Sequence, residues 1–155
     1  MLRLERLLQR TEELAALLLV AALALLIGGQ IAFRYLFDDP LSWSEELTTF
    51  LLISLTFVAA TAVLKRGEHF SIDTFLASLP RAARRIVEIA GLALQAVVML
   101  ALAYYSFNLA RLYEGTETVV LGIPEEAKAY VMVYCFLSMA LHLGVRLVRS
   151  LAAHP

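Results

Sequence analysis

Residues 14–33 read LAALLLVAALALLIGGQIAF, from Leu14 to Phe33, twenty residues without a charged side chain. At about 1.5 Å of rise per residue, a helix of that length spans about 30 Å, the thickness of a bilayer's hydrocarbon core. This stretch decides the class of fold. Arginine precedes it, but Glu12 and Glu13 abut its start, it exceeds the apolar core of a secretory signal, and no small-residue cleavage pattern follows. It is expected to be a retained transmembrane helix.

Three further apolar runs follow: Leu47 to Leu64, Ile86 to Ala110 (interrupted by Glu88), and Ala127 to Val148. The expected architecture is all-α, an integral membrane protein with four transmembrane helices near 14–33, 47–64, 86–110 and 127–148. No internal repeat or low-complexity segment divides residues 1–155, which read as a single membrane domain. Composition agrees: 61% of residues are hydrophobic and 17% charged, well away from soluble domains. Net charge is −1, leaving no basic excess to neutralise phosphates, so nucleic acid is not an expected partner. Cys135 is the single cysteine, which excludes an intrachain disulfide and cysteine-cluster metal sites.

Between the second and third runs, Ile72, Phe75, Leu76 and Leu79 follow the spacing of one helix face. Ser71 suits its cap and Asp73 its first turn. Eight or nine residues cannot span a bilayer, so residues 71–79 are expected to form a short interfacial amphipathic helix lying flat between helices two and three. Pro80 then fits the first turn of the third long helix.

Lysine and arginine are distributed unevenly among the loops. Ten fall before helix one, between helices two and three, and after helix four; three fall in the other two loops. The positive-inside rule puts both termini in the cytoplasm. Asp38, Asp39, Glu45, Glu46, Glu114, Glu117, Glu125 and Glu126 all lie in or beside the two outer loops, making an acidic outer face that suits a basic partner patch.

Several motifs sit at the helix ends. In Pro40-Leu41-Ser42-Trp43-Ser44-Glu45-Glu46-Leu47, Ser42 and Glu45 have capping-box spacing, and Trp43 suits an interfacial belt. Glu46 is then a second carboxylate just inside the apolar boundary. Arg34 can snorkel to the interface, reach Asp38 one turn on, or cross to Glu45 or Glu46. His69 stands four residues before Asp73 and can orient the flat helix, but the pair lacks a third metal ligand. Pro124 with Glu125 and Glu126 reads as a helix start. Gln30, Gln95 and Asn108 suit interhelical hydrogen bonds. No nucleophile–base pair, phosphate loop or metal cluster stands out, so an enzyme is not expected.

In their order these motifs resemble the small permease subunit (DctQ type) of TRAP transporters. Arg34-Tyr35 closes helix one, the Pro40–Leu47 segment follows, Arg66-Gly67-Glu68-His69-Phe70-Ser71-Ile72-Asp73 ends helix two, and Gly122-Ile123-Pro124 precedes helix four. Ser54 and Ala59 depart from the tryptophan and glycine often found there, and Glu-Glu-Ala-Lys after Pro124 is less apolar than usual. The resemblance implies a bacterial inner-membrane protein that scaffolds a large multi-helix transport subunit. It also implies help in docking a periplasmic solute-binding protein for ion-gradient-driven uptake without ATP. Membrane lipid covers the rest of its surface, no cofactor is expected, and sodium is expected to bind the large subunit. Arg34, Trp43, Glu45, Glu46, His69, Asp73 and Pro124 are the candidate interface or structural residues. The rival readings are the small four-helix subunit of a tripartite tricarboxylate transporter and a haem-bearing anchor of a respiratory enzyme. A self-sufficient small exporter is a third, but it normally needs a charge mid-membrane in helix one, and Leu14 to Phe33 carries none.

The charge count generates a topology test. With Cys135 replaced, Asp39→Cys and Glu117→Cys should react with impermeant thiol reagents in intact spheroplasts, and Glu68→Cys should not. The reverse pattern would invert the orientation.

Overall fold

The computed structural model describes residues 2–38, 41–66 and 80–152. It contains four long helices: α1 (Leu2–Leu36), α2 (Ser42–Arg66), α3 (Arg81–Leu112) and α4 (Glu126–Ala152). All four are long and apolar enough to cross a membrane, over Arg10–Leu36, Ser42–Leu64, Ala83–Leu112 and Glu126–Ala152. The expected helix at 71–79, with His69 and Asp73, lies outside the described residues.

The helices outrun the apolar stretches that predict them. With 35 residues, α1 is about 52 Å long, and α3, with 32, about 48 Å. Both exceed a hydrocarbon core of about 30 Å, so they tilt or protrude. Charge placement follows the helix dipole: Arg34 and Arg111 close α1 and α3, while Glu45 and Glu126 open α2 and α4. Pro80, expected in the first turn, is the N-cap of α3 one residue earlier, with its carbonyl accepting the Arg84 N–H at 3.0 Å. One turn on, Arg84 Nε pairs with Glu88 at 2.8 Å, an exposed helix pair that contributes a few tenths of a kcal/mol.

The substantial packings are α1 on α2, α2 on α4 and α4 on α3. The helices therefore stand in a row, α1–α2–α4–α3, with α1 and α3 at its edges. Leu64 of α2 meets Met139 and Leu143 of α4, and Leu92, Ala96 and Met99 of α3 close over that cluster. Nearby, the Phe57 and Phe136 rings meet edge to face, 5.3 Å between centroids. Such contacts supply dispersion energy, which holds helices together where lipid removes the hydrophobic drive. Small hydroxyl residues bring α2 close to its neighbours. Ser54 and Thr61 are buried, and each hydroxyl donates to the carbonyl one turn back (Phe50 and Phe57), both at 2.9 Å. That back-bonding satisfies both of these buried hydroxyls.

An open row buries little. The chain exposes 10791 Å², against about 7,800 Å² for a compact protein of its mass. Within the spans of α1 and α3 the fully buried residues are Glu12, Leu23, Ala103, Ser106 and Ala110, and most of the large apolar side chains are exposed. This geometry corrects the reading of three polar residues. Gln95 and Asn108 lie exposed on α3 and Gln30 is half-buried on α1. Among the described residues none of the three bonds to another helix, because the row gives these positions no facing helix. The polar link between helices is made elsewhere. Glu12 of α1 is buried, and the Ser138 hydroxyl, near the middle of α4, donates to its carboxylate at 3.3 Å.

Candidate functional site

The connection from α1 to α2 shapes one side of one end of the helix row. Phe37 N–H donates to the Phe33 carbonyl at 3.1 Å, and Asp38 then takes a left-handed backbone with φ of 53°. Aspartate tolerates that region better than most residues, so the chain can turn sharply there. At the start of α2 the serine in use is Ser44, not Ser42. Its hydroxyl, fully buried, donates to the Leu41 carbonyl at 2.6 Å, and its N–H donates to the same oxygen at 3.0 Å. Ser42 is exposed, and among the described residues the capping box with Glu45 does not form. The spacing allowed both serines a role; packing of Ser44 against the bundle selects the one that bonds inward.

Opposite lies the connection from α3 to α4, residues 113–125, which is ordered by its own hydrogen bonds. Thr116 N–H and hydroxyl both donate to the Tyr113 carbonyl, at 3.0 and 2.6 Å. Thr118 N–H donates to Ile123 O at 2.9 Å, Gly122 N–H to Thr118 O at 3.1 Å, and Glu125 N–H to Thr116 O at 2.9 Å. The Thr118 hydroxyl accepts the Ile123 N–H at 3.0 Å. Gly115 and Gly122 turn the chain at φ of 78° and 62°, where a Cβ would be strained. A hairpin-like loop results, with Val119, Val120 and Leu121 at its tip.

Two tip N–H groups would remain unanswered within the loop. Glu46, from the first turns of α2, supplies both acceptors: Val120 N–H donates to Oε1 at 3.0 Å and Leu121 N–H to Oε2 at 2.9 Å. Each N–H from Val120 to Ile123 thus has a partner. The bonds are charge-assisted, since the acceptor is a carboxylate and the donors converge on it as in a backbone anion nest. The Glu46 side chain latches the α3–α4 loop onto the start of α2.

Around this latch, Glu45, Glu46, Thr49, Glu117, Thr118, Val119, Glu125 and Lys128 line an open recess of 280 Å³. Lys128 Nζ is bonded to Glu125 at 2.6 Å. The structure therefore brings Glu45 and Glu46 together with the α3–α4 loop. Arg34 is exposed on the last turn of α1, and among the described residues it pairs with neither carboxylate. Trp43 is 37% exposed, as an interfacial residue would be. Pro124 lies just ahead of α4, bridged to Glu117, with its carbonyl accepting the Ala127 N–H at 3.0 Å. Thr118, Val120 and Leu121 were not apparent as site residues from the sequence. The available signal was Gly122, whose positive φ marks a tight turn.

Fold and site together define a multi-pass membrane protein with wide apolar flanks and an ordered, acidic loop between α3 and α4. Residues 23–153 match the family of tripartite ATP-independent periplasmic transporters, DctQ component. The chain belongs to this family, whose members are transporter subunits and not enzymes. Membership displaces the tricarboxylate-transporter and haem-anchor alternatives. The sialic acid TRAP transporter small permease protein SiaQ of Vibrio cholerae is 36% identical over 81 residues, 52% of this chain and 47% of that protein. The C4-dicarboxylate TRAP transporter small permease protein DctQ of the same organism is 28% identical over 82 residues, 53% of this chain and 35% of that protein. A putative TRAP transporter small permease protein of Haemophilus influenzae is 27% identical over 112 residues, covering 72% and 67%. The chain thus spans about half or less of the length of the first two relatives.

The latch predicts a local exchange signature. In Glu46→Gln, amide hydrogens of residues 118–123 should exchange about tenfold faster, while the helix core is unchanged. Arg34→Ala should leave the loop as it is. Loop acceleration by Arg34→Ala, with none by Glu46→Gln, would assign the carboxylate to Arg34 instead.

Proposed function

We propose that this chain is the fixed membrane scaffold of a tripartite, ATP-independent, ion-gradient-driven uptake system in the bacterial inner membrane, with both termini cytoplasmic. One flank of its helix row holds a large multi-helix subunit, which moves the solute and binds the sodium. Lipid covers the remainder. The outer end helps receive a soluble, periplasmic solute-binding protein that delivers the solute.

The observation that carries this reading is the open row itself. Helices α1 and α3 each have one substantial neighbour within the chain, and most of the large apolar side chains on their spans are exposed. Apolar helices in lipid associate through close packing, so such flanks suit a second membrane protein. Midplane transport sites are normally built from broken helices and intramembrane charges. Here α2 and α4 run unbroken and meet through apolar side chains and back-bonded hydroxyls. Names of relatives support the tripartite setting: one serves sialic acid and another C4-dicarboxylates. Two such different solutes support solute choice residing in the other components.

Uptake of a labelled solute into liposomes under an inward sodium gradient tests the division of labour. The small chain alone should move nothing, and all three components together should give uptake. Uptake by the small chain alone would refute the scaffold reading, as would full uptake without it.

A further inference from the structure

We infer that the tip of the α3–α4 loop, Val119 to Leu121, is the element that seats the soluble binding protein, and that Glu46 is the positioning residue that holds this tip ready. This rests on the docking role proposed above.

The tip is an unusual surface. Val119 is 96% exposed, Val120 51% and Leu121 38%, so three apolar residues stand together at the end of a loop. A free loop with that exposure would lose affinity to its own flexibility, because docking must then supply the ordering entropy. Here the order is present beforehand. The loop's internal bonds set its shape, and the Glu46 carboxylate ties its tip N–H groups to a helix that is itself packed in the row. The tether crosses 74 and 75 residues of chain, so the tip is registered to the scaffold and does not move with its own hinge.

Charge decides what the tip meets. Glu45, Glu114 and Glu117 are exposed, and Glu45, Glu117 and Glu125 share the recess with Val119. Carboxylates beside an apolar tip oppose its entry among lipid phosphates, whose field is negative. They favour a protein surface with an apolar recess rimmed by lysine or arginine, where the rim speeds encounter and fixes register. On the acidic outer face, that partner is a soluble protein.

The complex of this chain with its large subunit, in nanodiscs, is titrated with the soluble binding protein that supports uptake. Val119→Asp and Glu46→Gln should each weaken binding by about tenfold or more, and added salt should weaken the wild type. In uptake assays both variants should raise the binding-protein concentration at half-maximal rate and leave the rate at saturation unchanged. Co-elution with the large subunit should match wild type. Unchanged binding in both variants would overturn the inference. So would loss of co-elution in Val119→Asp with binding intact, since the tip would then belong to the membrane complex. A complex lacking this chain separates the two claims. If the binding protein then binds as tightly as before, the docking role itself falls. If binding needs the chain yet ignores both variants, only the loop assignment falls.

Discussion

A bilayer offers no water to the backbone, so every N–H and C=O within it must find its partner inside the protein. That constraint makes the spanning segments helices, and it governs the helix contacts as well. Ser54 and Thr61 are tolerated at the α2 contacts because each hydroxyl returns its proton to its own helix. The same accounting continues at the end of the row that carries Glu46, where the chain leaves helical geometry. There Thr116, Thr118, Gly122, Ile123 and Glu125 of the loop donate to its own carbonyls and the Thr118 hydroxyl, and Val120 and Leu121 donate to Glu46.

A helix row satisfies its backbone without burying much side-chain surface. With α2 and α4 at its centre and α1 and α3 at its edges, the row holds a small apolar cluster at Leu64, Met139 and Leu143. The exposed flanks are stable in lipid and also available to another membrane protein. That is the physical link between this fold and membership of a family of transporter subunits. Glu12 adds a polar tie from α1 to Ser138, fastening an edge helix that otherwise leans on α2 alone.

The four helices were legible because apolar runs this long, with two charges at most, have few alternatives. The family was legible from the order of short motifs. The Glu46 latch was not. Glu46 stood out as a surplus carboxylate beside a helix cap, but its partners are backbone N–H groups of Val120 and Leu121, which carry no side-chain signature. Arg34 was the visible candidate, being the nearest opposite charge, yet it stays exposed at the end of α1. Ser42 was favoured over Ser44 by spacing alone, whereas burial chose Ser44. Gln95 and Asn108 illustrate the same limit. A polar residue in an apolar helix implies a partner only when a helix faces it, and the open row was not encoded in any local pattern.

The central claim is that the exposed flanks of this row are covered in the membrane by a different, larger protein. Gentle extraction from native membranes followed by native mass spectrometry tests it directly. The account predicts a defined heteromeric complex of this chain with a large multi-helix protein, with lipid adducts. The chain appearing alone, or as a complex of identical copies, would contradict it.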